Sequence, residues 1–410
     1  MSLRVCYLLP RLLLGPSGAL VGGCAVNCVS LASELQKQGA HVELLTAVSQ
    51  GSLKSLDDLP FTAHIKSLPQ VGGGLSRRGL GAIRVLRRGL RETLQRNRFD
   101  VVHSHSGTYP YAVLPFTADA RRCVRIHSLY CPLGAKGGAY SRWWDRPSIA
   151  RALFDRLDRV IAVTENVRQS ITNAGVRSEI VESVPMCVDT QRFQPRSPSD
   201  PARFFPAESR AVRLLFVGNS SREKGLIELL HAVRNLIDTG TSVFLAAAVE
   251  NQSKIEEYAA SHQAACDLVR KLGIDRHVRW LGMVDRIEDL HAESDIIVIP
   301  WKTSRGPSDY PMVALEAMAM GKCIVSTPLG GCAELLDHGR AGILAKGFSA
   351  EHLADALRFA VDDLETRRAM GQAALERAQD FSLRTSASRL ITLYERLLEE
   401  KKHANATCHV

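Results

Sequence analysis

Short runs of β-branched and leucine residues alternate along the chain with longer segments in which apolar residues recur at helical spacing. This alternation is typical of parallel sheets whose strands are joined by crossover helices. In the first half it predicts strands at Arg4–Leu9, Val42–Thr46, Val101–Ser104, Cys123–His127, Val160–Val163 and Ile180–Val184. In the second half it predicts strands at Val212–Val217, Val243–Ala248, Val278–Leu281, Ile296–Ile299 and Cys323–Ser326. The fold class we expect is therefore α/β, with two doubly wound units.

Four prolines interrupt this pattern between the two halves, in a stretch that favours neither helix nor strand. They are Pro195, Pro198, Pro201 and Pro206. We expect a first domain over residues 1–195, a linker over 196–210, a second domain over 211–380 and a C-terminal crossover helix and tail over 381–410. Two such domains leave a cleft at the carboxyl ends of their strands, where open α/β folds bind ligands.

Composition and charge narrow the class of protein. An apolar share of 45% and a charged share of 23% are typical of globular chains and exclude a disordered or coiled-coil protein. No window reaches the roughly 18 to 20 apolar residues of a membrane span, and Val5–Leu9 is too short for a secretion signal. We therefore expect a cytosolic protein. Its ten cysteines contain no CxxC pair, so we expect them to be reduced, with no metal site.

The net charge of +9 is unevenly distributed between the two halves. Residues 1–200 contain 26 lysines and arginines against 15 acidic residues, a net +11, which leaves −2 for the remainder. A basic half of this kind favours an anionic partner.

Two glycine-containing turns follow predicted strands. Gly22 and Gly23 precede a helix that we expect to run to about Lys37, and the start of a helix presents unpaired N–H groups to an anion. Gly218–Gly225 places Lys224 beside backbone donors at the end of a strand, which suits a diphosphate. The alternatives are a flexible loop for the first turn and a surface turn with a solvated lysine for the second.

A third segment combines a helix start with a buried carboxylate. Pro311 fits the first turn of a helix, and Glu316 then lies one to two turns in, on an otherwise apolar helix. A carboxylate there can accept two hydrogen bonds from a vicinal diol such as a ribose. The alternative is a glutamate that only stabilises the helix dipole.

Six segments, taken in this order, resemble the motifs of the large retaining family 4 of GT-B glycosyltransferases. They are Gly22–Gly23, similar to the family's N-terminal glycine turn; Asp100–His105, similar to DVVHxH; Asp158–Glu165, similar to DRVIAVSE; Val188–Pro195, similar to NGVDxxxFxP; Gly218–Gly225, similar to GRLxxEKG; and Leu315–Gly321, similar to LEAMAxG. The resemblance covers essentially the whole chain. It implies two Rossmann-like domains that face each other across a cleft.

The resemblance also implies an activity: transfer of a sugar from a nucleoside diphosphate sugar, with retained anomeric configuration and with neither metal nor other cofactor. It implies that Lys224 binds the diphosphate, Glu316 the ribose and Gly23 the phosphate across the cleft, with His127 near the anomeric carbon. The three catalytic residues would be His127, Lys224 and Glu316. The donor-binding residues would be Gly22, Gly23, Gly218, Asn219, Lys224, Ser308, Asp309, Tyr310, Pro311, Met312 and Glu316.

The chain departs from the family pattern at several of these positions. Asn219 stands where the family commonly has an arginine, and Arg222 is the nearest basic residue that could replace it. Ser308 stands where the first glutamate of the ExxxxxxxE pattern is expected, so either the donor is unusual or Asp309 substitutes. Asp309 and Pro311 also replace glycines of the family's EGFG sequence.

Two basic segments are candidates for partner binding. The segment from Arg77 to Arg98 is an amphipathic helix that either lies on an anionic membrane surface or packs its apolar face on the sheet. The loop Tyr130–Pro147 carries glycine, tryptophan and basic residues, and is either an acceptor-binding loop or an ordinary surface loop. Nucleic acid is not an expected partner, because no recognition motif is present.

We therefore expect a glycosyltransferase that is cytosolic or peripheral on the inner face of the membrane. Its partners would be a nucleotide sugar and a glycan, lipid-linked or small-molecule acceptor in glycoconjugate or polysaccharide biosynthesis. One alternative is a nucleotide-sugar 2-epimerase of the same fold, which would need acidic residues in the basic N-terminal cleft. The other is a non-catalytic nucleotide-sugar-binding scaffold, which Asn219 and Ser308 would suit.

Overall fold

The computed structural model describes residues 2–14, 20–49, 59, 61–68, 77–134, 146–198, 200, 202–206, 211–249, 256–303 and 308–407. The chain separates into two compact units. Unit 1 consists of Met1–Cys187, Arg305–Asp309 and Leu383–Val410, and unit 2 consists of Val188–Ser304 and Tyr310–Ser382. Each unit contains a parallel sheet with flanking helices, which confirms the predicted α/β fold class.

Unit 1 is built on a parallel sheet of seven strands in the order β5-β4-β1-β6-β7-β8-β9. The strands are β1 (Arg4–Leu9), β4 (His41–Ser49), β5 (Thr62–Leu68), β6 (Val101–Ser106), β7 (Val124–Leu129), β8 (Arg159–Ala162) and β9 (Val181–Ser183). A separate antiparallel pair joins β2 (Leu13–Leu14) to β3 (Leu20–Val21). The predicted strands are confirmed to within two residues at most ends, whereas β2, β3 and β5 were not predicted.

Helices cover both faces of this sheet. They are α1 (Gly23–Lys37), α2 (Arg77–Arg96), α3 (Pro147–Phe154), α4 (Glu165–Asn173) and, from the end of the sequence, α12 (Leu383–Thr407). One apolar core joins β1 and β4 to α1 and to Leu390, Leu393 and Leu397 of α12. A second core on the opposite face joins β1, β4 and β6 to α2. The C-terminal helix therefore completes the core of unit 1.

Unit 2 repeats the architecture with a six-stranded parallel sheet in the order β12-β11-β10-β13-β14-β15. The strands are β10 (Val212–Gly218), β11 (Val243–Val249), β12 (Val278–Trp280), β13 (Ile296–Ile299), β14 (Cys323–Ser326) and β15 (Ile343–Leu344). The helices are α5 (Leu226–Asp238), α6 (Glu256–Leu272), α7 (Ile287–Glu293), α8 (Met312–Ala319), α9 (Gly330–Leu335), α10 (Ala350–Asp362) and α11 (Leu364–Ala378). Only β15 was missing from the predicted strands.

Two expectations about the chain as a whole can be compared with the described residues. None of the helices described is both long and apolar enough to cross a membrane. Within the same ranges seven of the nine cysteines are buried, as expected for small core residues. These ranges contain no cluster of three or more His, Cys, Asp or Glu side chains that could hold a metal ion.

Candidate functional site

Lys224 lies at the carboxyl edge of the unit 2 sheet, in a short 3₁₀ turn (Arg222–Lys224) that follows β10. The side chain is 8% exposed, and its ammonium nitrogen lies 3.0 Å from the centroid of the Trp301 ring. Trp301 lies two residues after the end of β13, the strand that pairs with β10. The aromatic face therefore holds a nearly buried cation at the edge where parallel sheets bind ligands.

Gly225 fixes the path of the chain after Lys224. It adopts the left-handed conformation with φ of 68°, and a Cβ atom at this position would lie 1.8 Å from the carbonyl oxygen of Pro300. The neighbouring Lys302 N–H donates to the carbonyl oxygen of Glu223 at 2.8 Å. Only glycine permits this close approach, so the turn that carries Lys224 is held against the segment that carries Trp301.

Asn219 forms a hydrogen bond within the same turn. Gly218 is the last residue of β10, and the side-chain oxygen of Asn219 accepts a hydrogen bond from the Ser221 N–H at 3.1 Å. Arg222, the residue expected to replace the missing arginine, is exposed to solvent. The side chain of Asn219 therefore shapes the turn.

Glu316 lies on α8, the helix that follows β13, and Lys224 lies in the turn that follows β10. Pro311 is extended, with φ of −70° and ψ of 123°, and precedes the helix as its N-cap, so its predicted place inside the first turn is corrected by one residue. The Glu316 side chain is 14% exposed, and its Oε2 atom lies 3.4 Å from Nε2 of His291. Lys224 lies in the turn after β10 and Glu316 in the helix after β13, and β10 and β13 are adjacent parallel strands.

The predicted donor-sugar segment 308–312 is placed differently from expectation. Ser308 is 2% exposed and Asp309 is fully buried. Thr164 Oγ1 donates to an oxygen of the Asp309 carboxylate at 2.8 Å, and Asn166 donates to the same oxygen at 3.2 Å. The Asp309 carboxylate is therefore used inside unit 1, and we correct the expectation that it replaces the missing glutamate.

The next residues of this segment are also engaged by the protein. The hydroxyl of Tyr310 donates to Glu334 at 2.6 Å, and its ring contacts Phe381 edge-on with centroids 5.9 Å apart. Pro311 is buried, and Met312, the first residue of α8, is half-buried. These side chains anchor the start of the helix that carries Glu316.

The glycine turn in unit 1 has the predicted local structure. Gly22 has φ of 99° and caps α1, whose first residue is Gly23. A Cβ atom at Gly22 would have nothing within 4 Å, so the glycine is required by its backbone conformation. The helix begins at Gly23, the second glycine of the pair, and ends at Lys37, the end that was predicted.

His127 occupies a buried position on β7. It has no exposed surface, its Nδ1 atom lies 2.7 Å from the hydroxyl of Ser104 and its Nε2 atom lies 3.4 Å from that of Ser106. Its ring also stacks on Phe154, with centroids 6.1 Å apart. Burial lowers the pKa of His127 to about 3, so the imidazole is neutral. The protein covers the imidazole in this structure, and a contact of His127 with the donor sugar stays a prediction.

The structure describes most of the first basic segment but only a small part of the second. The apolar side of α2, including Leu86 and Leu90, lies in a core of unit 1, while Arg84 and Arg91 are exposed. The helix therefore packs on the sheet, as the second of the two interpretations expects. Most of the loop proposed for acceptor binding, residues 135–145, lies outside the described residues.

Sequence reasoning missed two residues at the unit 2 edge. Trp301 and His291 contact the side chains of Lys224 and Glu316 respectively. An aromatic residue two positions after a buried strand was a usable signal for Trp301. His291 lies in the short helix α7 beside two acidic residues, and its burial could not be read from that pattern.

Two family models match the sequence, one in each half. The model described as Glycosyltransferase Family 4 matches residues 21–192, and the model described as Glycosyl transferases group 1 matches residues 211–363. The chain belongs to the group 1 glycosyltransferases of family 4. The predicted resemblance, and with it the prediction of an enzyme, are confirmed.

Curated relatives of this glycosyltransferase align over nearly its whole length. The D-inositol 3-phosphate glycosyltransferase of Corynebacterium kroppenstedtii is 27% identical over 401 residues, which cover 93% of this chain and 87% of the relative. D-inositol 3-phosphate glycosyltransferase 2 of Catenulispora acidiphila is 28% identical over 406 residues, which cover 94% and 92%.

Solved structures establish the fold of the glycosyltransferase. Sucrose-phosphate synthase from Thermosynechococcus elongatus has a TM-score of 0.79 at 17% identity and covers 97% of this chain and 100% of its own. HepE from Anabaena, in complex with UDP-glucose, has a TM-score of 0.73 at 19% identity and covers 96% and 99%. The glycosyltransferase therefore has the GT-B fold that its motifs predict.

Proposed function

We propose that this glycosyltransferase binds the nucleoside diphosphate of its donor sugar in unit 2, with Lys224 on the diphosphate and Glu316 on the ribose. The proposal is supported by the place of Lys224 in the turn after β10 and of Glu316 in the helix after β13, since β10 and β13 are adjacent parallel strands. Lys224 supplies the positive charge that a diphosphate requires, and a carboxylate can accept hydrogen bonds from both hydroxyls of a ribose.

The chemistry proposed for this site needs no residue that attacks the sugar. The bond between the anomeric carbon and the β-phosphate oxygen breaks, and negative charge accumulates on the diphosphate. A fixed ammonium group such as that of Lys224 stabilises this charge. The acceptor hydroxyl attacks the anomeric carbon from the face that the diphosphate leaves, and a phosphate oxygen takes its proton, so that the configuration is retained. We propose that the reaction proceeds without a metal ion.

We further propose that the acceptor is a small phosphorylated polyol of the inositol phosphate class. The observation that carries this proposal is the similarity to D-inositol 3-phosphate glycosyltransferases over more than 90% of this chain. The net charge of +11 in residues 1–200 is consistent with an anionic acceptor.

A transfer assay with purified protein tests both parts of the proposal. UDP-, GDP- and ADP-sugars are each incubated with D-inositol 3-phosphate, unphosphorylated inositol and a lipid extract, and the products are identified by mass spectrometry and NMR. We expect transfer to the phosphorylated polyol with retained anomeric configuration. Transfer to the lipid extract alone would refute the acceptor class, and binding without turnover would favour the scaffold alternative.

Matched variants test the donor site. Lys224→Ala and Glu316→Ala should each lose most of the activity while remaining folded. Lys302→Ala is the control, because Lys302 lies on the same segment but pairs with Glu228 and is 40% exposed. Wild-type turnover in Lys224→Ala would contradict the role of its ammonium group.

We infer that any contact of this enzyme with a membrane is electrostatic. The apolar side of α2 is buried in unit 1, whereas Arg84 and Arg91 are exposed. Exposed arginines attract anionic headgroups by roughly 1 kcal/mol each. Co-sedimentation with phosphatidylserine vesicles should therefore decrease in high salt and in Arg84→Ala/Arg91→Ala, and salt-resistant binding would contradict the inference.

A further inference from the structure

We propose that His291 is a positioning residue that holds the carboxylate of Glu316 in the orientation in which it contacts the donor ribose. The inference deepens the proposed function and rests on it. It starts from the contact between the two side chains, in which Nε2 of His291 lies 3.4 Å from Oε2 of Glu316.

The environment of His291 is unusual for a buried polar side chain. Its side chain has no exposed surface, and neither ring nitrogen has a hydrogen-bond partner among the residues that the structure describes. Buried polar groups in proteins are nearly always paired, because an unpaired donor or acceptor costs free energy. An imidazole placed here therefore calls for a functional explanation.

The distance of 3.4 Å between Nε2 of His291 and Oε2 of Glu316 indicates that His291 orients the carboxylate. This distance lies just beyond the usual range for an N–H···O hydrogen bond, and such contacts often tighten when a ligand binds. The His291 side chain has no exposed surface, whereas that of Glu316 is 14% exposed. A small rotation of the glutamate brings one carboxylate oxygen onto Nε2–H and leaves the second oxygen for the ribose hydroxyls.

The helix that carries His291 is held in place at both ends. Lys322 donates to the carbonyl oxygens of Ala292 and Ser294 at 2.8 and 3.0 Å. The buried Glu293 accepts hydrogen bonds from three backbone N–H groups, those of Ala202, Phe204 and Phe205. At the other end of α7, Arg192 pairs with Glu288 at 2.8 Å.

The ring itself is also held from the side. Phe193 contacts His291 edge-on, with ring centroids 6.2 Å apart. An imidazole on a fixed helix and against a fixed aromatic ring presents Nε2 in one direction. This is the property that a positioning residue requires, since a ligand-binding carboxylate is effective only when its own orientation is constrained.

The test measures how strongly the protein discriminates the ribose. Dissociation constants are measured for UDP and for 2′,3′-dideoxy-UDP, with GDP and ADP pairs in parallel, by calorimetry on the full chain. Their ratio in the wild type reports the contact between Glu316 and the ribose hydroxyls. His291→Phe should lower this ratio by about tenfold, the size of one hydrogen bond to a charged group. Affinity for the dideoxy nucleotide should change little.

Two conservative variants separate positioning from packing. The amide nitrogen of glutamine can replace Nε2, whereas that of asparagine reaches only as far as Nδ1. His291→Gln should therefore keep most of the discrimination and His291→Asn should lose it. If His291→Phe does not fold, the comparison of His291→Gln with His291→Asn tests the inference instead. His262→Phe is the matched control, because its ring packs against Trp280 and its Nδ1 atom is also buried without a partner in the described parts of the chain.

Each outcome is decisive. Equal discrimination in wild type, His291→Phe and His291→Asn would overturn the inference while leaving the proposed donor site intact. No discrimination by the wild type, or no binding of any of the three nucleotides, would overturn the ribose role of Glu316 and the inference together. In the background of Glu316→Ala, His291→Phe should have no further effect on the ratio, and an additional loss would also contradict the inference.

Discussion

The ammonium nitrogen of Lys224 lies 3.0 Å from the centre of the Trp301 ring, and both side chains are more than nine-tenths buried. A lysine side chain in solution samples many rotamers, so a bound anion would have to order it. Here the indole face has already restricted the ammonium group. A cation fixed in this way stabilises developing charge without reorganisation during the reaction.

The first prediction concerns this cation–π contact. Trp301→Leu should weaken UDP binding by about 2- to 30-fold, the range that corresponds to a partly desolvated cation–π interaction. Trp301→Phe should lose less, because its ring keeps an aromatic face. Calorimetric titration with UDP measures both, and unchanged affinity in Trp301→Leu would show that the ring does not position Lys224.

The second prediction concerns the backbone at Gly225. Gly225→Ala should destabilise the protein by more than the roughly 1 kcal/mol of a left-handed alanine, because its Cβ atom would overlap the carbonyl oxygen of Pro300. Gly240→Ala is the control, since Gly240 has φ of 81° but nothing within 4 Å of the added atom. Urea unfolding measures the difference, and equal losses would show that the clash is relieved at no cost.

The third prediction concerns the buried carboxylate of Asp309. Asp309→Ala should cost about 1–3 kcal/mol, because it leaves the Thr164 hydroxyl without this acceptor. Combining Asp309→Ala with Thr164→Val should cost less than the sum of the single changes. Combination with Thr392→Val on the exposed face of α12 should be additive, and additivity in both pairs would contradict a direct interaction between Thr164 and Asp309.

The fourth prediction is a pH dependence of stability. Burial lowers the pKa of His105 and of His127 from 6.5 to about 3. Between pH 6.5 and 3 the unfolded chain therefore binds more protons than the folded chain, so the free energy of unfolding falls as the pH is lowered. The slope is at most about 1.4 kcal/mol per pH unit for each histidine.

Urea unfolding between pH 7.5 and 5 measures this slope. His127→Gln should reduce it, whatever the variant's stability at neutral pH. His231→Gln is the control, because His231 is exposed on α5. A slope that is the same in all three proteins would show that the buried imidazoles do not titrate on unfolding.

The sequence predicted the central strands well because they are buried on both faces. Such strands, for example β11 and β13, are continuous apolar runs between turns. The missed strand β5 lies at the edge of its sheet and has the mixed sequence Thr-Ala-His-Ile-Lys-Ser-Leu. The strand β15 is also at an edge and has two residues. A strand of mixed or very short sequence is defined by its pairing with a neighbour, which local sequence does not reveal.

The site was predictable only in part, for a related reason. A turn residue such as Lys224 is positioned by its own strand, so its place at the sheet edge could be deduced from the sequence. Asp309 is instead fixed by Thr164, a residue 145 positions earlier, and His291 meets Glu316 through the packing of two helices. Contacts between distant parts of the chain require the tertiary structure.

The packing of α12 on unit 1 has a consequence for synthesis. Its Tyr394 hydroxyl lies 2.6 Å from Nδ1 of His103 and 3.2 Å from the hydroxyl of Tyr7. His103 and Tyr7 leave the ribosome long before Tyr394 does. The apolar surface of unit 1 that packs against α12 therefore stays exposed to solvent until α12 has been made. Unit 2, whose strands and helices end before α12, can become native before α12 is synthesised, and unit 1 therefore depends on a helix that is made after unit 2.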